Sequence, residues 1–323
     1  MADAEGADDD EGDGAGDTIE DLFAAVEHGR IDDVARLLLL DHRISINRAD
    51  NDGVSPLFVA CANGRVEVAR LLIEHGADVD QAMDTGWTPL LMACAMGHVD
   101  VVRLLIEQDA DVGQASNDGT SPLSAACRKG HVDIARLLIE GDADVGEVNN
   151  TGTSPLFAAC SNGHVHVVRL LIEHGADISH TNNNGMSPLY AACTNAHVDV
   201  ARLLIEHDAD VSQASKNGAS PLLTALRRCH CSLTRRGHAE IVRLLLRGGA
   251  DIWQTNDSGV SPLSLARERS AAGNAPYRSS AMVLSWALLL ATRPKLPTWQ
   301  ATERAAFTPR QPRKPPRVLD GGG

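Results

Sequence analysis

Five cysteines, Cys61, Cys94, Cys127, Cys160 and Cys193, recur every 33 residues, and five histidines, His98, His131, His164, His197 and His238, recur after a Gly or Ala. Thiols and imidazoles in register could form a metal or redox ladder. Geometry argues against it. Packed helices lie about 8–10 Å apart, whereas a disulfide needs Cα atoms within about 7 Å. One small core position, repeated, accounts for the thiols, because buried Cys packs as a small hydrophobe. The histidines fall in the same repeating pattern and are read as structural. His164-Val165-His166 lacks the i, i+4 spacing of a helical metal pair. Cys229-His230-Cys231 puts three ligands in three residues, with no complementary pair to complete a zinc site. There is no P-loop, dinucleotide fingerprint, nucleophile elbow or zinc-protease motif. The sequence therefore predicts no catalytic residue, no metal, no cofactor and no enzyme. Arg70, Arg103, Arg136, Arg169, Arg202 and Arg243 form a further column, with Glu74, Glu107, Glu140, Glu173 and Glu206 four residues on. These read as i, i+4 pairs on a solvated helix face, in the weaker Arg-first order, at less than about 1 kcal/mol each.

Composition narrows the partner. The 323 residues carry a net charge of −14, which argues against a nucleic-acid backbone. Four Trp, two Tyr and four Phe are too few for base-stacking platforms, so the core must be Leu, Val, Ile and Ala. Seven Cys are too sparse for a disulfide-stapled scaffold. The N-terminus is acidic where a signal peptide would be basic. The longest apolar run, Ala281 to Ala291, falls short of the roughly 20 residues of a spanning helix and reads as a packed terminal helix. An intracellular chain with reduced thiols is expected, in the cytoplasm in preference to the nucleus. Residues 1–17 hold eight acids and no base, and are expected to be a disordered acidic tail. Residues 293–323 hold seven Lys/Arg against two acids, with six Pro, and are expected to be a disordered basic tail.

The elements that position these columns follow from one period. Ser/Thr-Pro-Leu occurs at Ser55, Thr88, Ser121, Ser154, Ser187, Ser220 and Ser261, at spacings of 33, 33, 33, 33, 33 and 41. A fixed period of this length means stacked repeats. Within one, Asp118-Gly119 is a turn pair. Ser121 caps a helix whose first turn carries Pro122, where the missing N–H is not needed. Leu123, Ala125, Ala126 and Cys127 give that helix a small apolar face. Gly130-His131 breaks it, and Val132 to Ile139 form a more apolar second helix. Neither helix buries its face alone, so the units must stack.

These residues strongly resemble the ankyrin repeat: a turn with Gly, then Thr-Pro-Leu-His, Ala-Ala, Gly-His, Leu-Leu and Gly-Ala-Asp. The resemblance covers residues 18–292. It implies an all-α solenoid, an ankyrin repeat array of helix-turn-helix units with a β-hairpin or turn finger. About eight units are counted. The first, Asp21 to Asp50, and the last, from Asn256, read as caps, with Met282 to Leu290 as a capping helix. The family's His after Pro-Leu is replaced by Phe58, Leu91, Ser124, Phe157, Tyr190, Leu223 and Ser264, so apolar packing must compensate. Asp109, Asp142 and Asp208 stand where Gly is usual after the second helix, and should adopt left-handed backbone. The unit opened by Ser220 carries eight extra residues within 227–237, which either lengthen its first helix or form a loop.

The resemblance implies a non-enzymatic scaffold or adaptor that binds a partner protein through its concave surface and fingers, as a monomer. Nucleic acid and membrane are not expected partners. Alternative readings are a peripheral membrane scaffold held by 281–323, or a targeting subunit of a larger complex such as a ubiquitin ligase. Contact candidates are the finger tips Asp84, Thr85, Asn117, Asp118, Asn150, Thr151, Asn183 and Asn184, together with Trp87, Met186, Met96, Arg128 and Lys129 on the groove. Trp87 is the leading anchor, since exposed Trp is a frequent hot spot; the alternative is a Trp packed on the adjacent finger. Arg227, Arg228, Arg235 and Arg236 form a candidate anion patch.

Overall fold

The computed structural model describes residues 19–40, 45–229 and 235–271. Among them are fifteen helices and no strand. The first unit pairs α1 (Ile19–His28) with α2 (Ile31–Leu40). Five regular pairs follow: α3 (Pro56–Ala62) with α4 (Val66–Glu74), α5 (Pro89–Met96) with α6 (Val99–Glu107), α7 (Pro122–Lys129) with α8 (Val132–Glu140), α9 (Pro155–Asn162) with α10 (Val165–Glu173), and α11 (Pro188–Asn195) with α12 (Val198–Glu206). Then come α13 (Pro221–Arg228) with the longer α14 (Arg235–Arg247), and finally α15 (Pro262–Ala271). First helices pack on first helices, and second helices on second, so each unit touches mainly its neighbours. This is the solenoid expected from the period. The expected tails and the capping helix at Met282 to Leu290 lie outside the described residues. No described helix is long and apolar enough to cross a membrane.

The local signals act as the sequence implies. In all six complete Ser/Thr-Pro units the hydroxyl of the capping residue accepts from the amide three residues on, as Ser121 does from Ser124 at 3.3 Å. Each such cap is worth about 1 kcal/mol. The second helices have no side-chain cap, because the residue in that place works between units instead. His98 Nε2 donates to the Ala62 carbonyl at 3.0 Å, His164 to Arg128 at 3.0 Å, His197 to Ser161 at 3.0 Å and His238 to Thr194 at 3.1 Å. A carbonyl only accepts, so Nε2 carries the hydrogen. In the α3–α4 unit Arg65 takes the same place, its Nε donating to the Glu27 carbonyl at 3.2 Å.

The core runs unbroken through the stack. Ala60, Ala93, Ala126, Ala159 and Ala192 are wholly buried on the first helices, with Leu72, Leu105, Leu138, Leu171 and Leu204 opposite them on the second. Cys61, Cys94, Cys127, Cys160 and Cys193 are also wholly buried, and this desolvation holds their thiols well above the usual range. In the family's His position, Phe58, Leu91, Tyr190 and Leu223 are buried. Tyr190 and Leu223 join Ala219 and Leu265 in a second cluster, where the Thr224 hydroxyl donates to the Tyr190 hydroxyl at 2.9 Å. Apolar packing and that one bond replace the missing imidazole between these units.

Backbone at Asp109, Asp142 and Asp208 is left-handed, with φ of 60°, 66° and 65°, as expected. Ala196 joins them at 64°. Two expectations change. The extra residues of the α13–α14 unit do not lengthen its first helix, which has eight residues like α11; α14 gains a turn instead, with 13 residues against nine in α12. Residues 230–234 of the insertion lie outside the described residues. Cys229, at the edge of the insertion, continues the end of α13 and packs into the main core at 5% exposure. The Arg column does not pair with Glu four residues on, among the described ion pairs. Arg70 meets Glu67 at 3.7 Å and Arg243 meets Glu240 at 3.1 Å, three residues earlier. Helix side chains lean toward the N-terminus, which takes an Arg toward the preceding turn.

Candidate functional site

Each finger is a five-residue hydrogen-bonded turn. Asp50, Met83, Ser116, Asn149, Asn182, Ser215 and Asn256 each donate their amide to the carbonyl four residues on. The Gly at the fourth place is left-handed in all seven, with φ from 71° to 80°. Side chains hold the turn from within. Asn149 Oδ1 accepts from the amides of Thr151 and Thr153, at 3.0 and 2.9 Å, and Asn182 does the same for Asn184 and Met186.

The fingers are also joined to one another. The amides of Asp84, Asn117, Asn150, Asn183, Lys216 and Asp257 each donate to a carbonyl of the preceding finger. Asn117 Nδ2 adds a bond to the Asp84 carbonyl at 2.9 Å, Asn150 to Asn117 at 3.0 Å and Asn183 to Asn150 at 3.0 Å. Three tip residues expected on the contact surface are thus part of a ladder that fixes finger spacing. Asp118 is likewise tied: its carboxylate accepts from Ser116 Oγ at 2.6 Å and from the Thr120 amide at 3.0 Å. The Ser116 bond, then the Thr120 hydroxyl, hold its pKa below the ordinary value. Asp84, Thr85, Thr151 and Asn184 are exposed at the tips.

Two places in the repeat are the candidates to line a groove between fingers and first helices. One follows the finger Gly; the other ends the first helix. Arg128 Nη2 donating to Thr120 Oγ1 at 3.3 Å shows that the two places meet. Trp87, read either as an exposed anchor or as packed on the adjacent finger, is half-buried, with its carbonyl closing the finger through the Met83 amide at 2.9 Å. Met186 is half-buried against the Tyr190 cluster. Met96, the last residue of α5, is an open apolar side chain at 56% exposure. Arg128 and Lys129 are exposed beside it, one unit further. Among the described residues, the exposed tryptophan is Trp253, at 61%, in the turn after α14. Its signal in the sequence is a column that otherwise holds Asp80, Gly113, Gly146, Ser179 and Ser212. Of the anion-patch residues, Arg227 is half-buried and Arg228 and Arg236 are exposed, while the Arg235 side chain lies outside the described residues.

Residues 22–116, 110–182 and 176–256 match the family profile described as ankyrin repeats (3 copies). Among solved structures, the crystal structure of the human ASB11 ankyrin repeat domain is similar, with 27% identity and a TM-score of 0.62 over 70% of this chain and 96% of that one. No curated protein sequence matches the chain.

Proposed function

We propose that this chain, which belongs to the ankyrin repeat family, is a non-enzymatic scaffold that binds a partner protein through the groove between its fingers and first helices. Ankyrin repeats are in general protein–protein interaction modules. The observation that carries the reading is the division of labour along the groove. Asn63, Asn162 and Asn195 donate to carbonyls of the array, and Asn117, Asn150 and Asn183 lock the fingers together. The wall is therefore set before any partner arrives, which reduces the ordering cost of association. Met96, Arg128 and Lys129 remain directed to solvent on it.

Site-specific photocrosslinking tests the reading. A photoreactive residue at 96, 129 or 162 samples the groove, and one at 103, 136 or 169 samples the outer helices. A partner that binds the groove crosslinks from the first set alone. Crosslinks confined to the second set would move the function to the outer face.

A further inference from the structure

The groove carries a chemical contrast between adjacent units. Successive first helices end in Ala62-Asn63, Ala95-Met96, Arg128-Lys129, Ser161-Asn162 and Thr194-Asn195. The amides of Asn63, Asn162 and Asn195, and the hydroxyl of Thr194, all donate within the array. Lys129 has no partner among the described residues, and Arg128 donates one bond, to a neutral hydroxyl. Asp118, the acid that feels the Arg128 charge, already accepts from Ser116 and Thr120. Among the described residues, these two exposed cations at the end of α7 thus have no carboxylate in ion-pair range, in a chain of net charge −14. One unit earlier the same places hold Ala95 and Met96, and Trp87 stands where Thr120 does. Apolar surface and unpaired positive charge therefore lie side by side.

Resting on the groove reading above, we propose that this face binds an extended acidic segment of a partner protein. An apolar side chain of that segment sits beside Met96 and Trp87, and a carboxylate sits on Arg128 and Lys129. Adjacent first helices lie about 10 Å apart and an extended chain advances about 3.3 Å per residue. The apolar and acidic residues of the ligand are then about three positions apart. Arg128 presents a planar fork suited to a carboxylate, and Lys129 a compact second charge.

The test is selection from a randomised twelve-residue display library on the full chain, in parallel with Arg128→Glu/Lys129→Glu and with Met96→Asp. All three changed residues are exposed, and circular dichroism with urea melting checks that each variant folds. The expected result is enrichment, on the unchanged chain, of peptides with a bulky apolar residue three or four positions from Asp or Glu. The charge-reversed chain should select Lys or Arg in place of the acid, and Met96→Asp should lose the apolar preference. The best peptide, labelled and titrated by anisotropy, should bind the charge-reversed chain at least tenfold more weakly. No enrichment, or the same acidic preference from the reversed chain, overturns the proposal. Peptides that depend on the groove but lack the pattern overturn it while leaving the scaffold reading standing; peptides indifferent to all groove substitutions overturn both. A full chain with the eight acids of residues 1–17 changed to Asn or Gln supplies the last arm. If it gains tenfold in affinity, the occupant of the site is that segment and not a partner.

Discussion

Gly163→Ala isolates how the units are locked together. Gly163 ends α9 with φ of 80°. A methyl group there would meet the His197 imidazole, at 2.7 Å from Cε1 and 2.8 Å from Cγ. Two costs follow. A left-handed L-residue costs about 1–2 kcal/mol. The ring must also retreat, and its bond to the Ser161 carbonyl, 3.0 Å in the native array, is weakened or lost; that adds about 1 kcal/mol. The sum is about 2–3 kcal/mol. Gly175→Ala is the control, since its φ is 84° but nothing lies within 4 Å of the added methyl. It should show the backbone cost alone, about 1–2 kcal/mol. Urea denaturation followed by circular dichroism measures both, with the m-value reporting any split of the array into separately unfolding parts. His197→Ala should remove most of the difference between the two glycines in a double-mutant cycle. Equal costs at the two glycines, or a cycle with no coupling, would refute the imidazole lock.

Three further outcomes follow. Burial, the largest cause, lowers the His197 pKa below its ordinary 6.5 despite the opposing bond to the Ser161 carbonyl. The unfolded chain then binds a proton more readily, so the stability due to this group is complete above pH 6.5 and falls as pH drops through 6.5 toward the folded value; urea midpoints at pH 7.5 and 5.5 should differ less in His197→Gln. Thr224→Val should destabilise by about 1–2 kcal/mol, because it strands the buried Tyr190 hydroxyl, whereas Tyr190→Phe should cost less. Maleimide labelling of the native chain should be slow at Cys229, as at the five buried thiols of the repeat, and fast reaction there would displace it from the core.

Most of the fold is legible in the sequence because the same physical problem is solved seven times in aligned columns. A Ser or Thr before Pro-Leu caps a helix wherever it stands, and an Asp in a Gly column must accept left-handed backbone. What escapes the sequence depends on contact between columns. Asn117, Asn150 and Asn183 are legible as finger-tip residues, yet their bonds to the preceding fingers require the stacking register. The Arg–Glu columns share a helix face, but side-chain tilt, not spacing, selects Glu67 for Arg70. The groove was legible as a place through the family resemblance. Its chemistry was not, because Lys129 becomes notable only when the neighbouring amides are seen to be bonded.

The departures also explain one another once adjacent units are compared. In the regular units a Gly without Cβ receives the imidazole of the next unit, as Gly130 receives His164 and Gly163 receives His197. Ala196 breaks that column and would collide with a histidine placed in the same way. The following unit, however, carries the insertion, and α14 begins a turn earlier, bringing Gly237 to this contact. Ala196 supplies a methyl at this junction and Gly237 the space for it: a Cβ on Gly237 would stand 3.0 Å from that of Ala196. His238 still reaches the Thr194 carbonyl, at 3.1 Å. The extra residues and the odd alanine thus form one compensated joint, and Gly237→Ala should destabilise the array while Ala196→Gly should not.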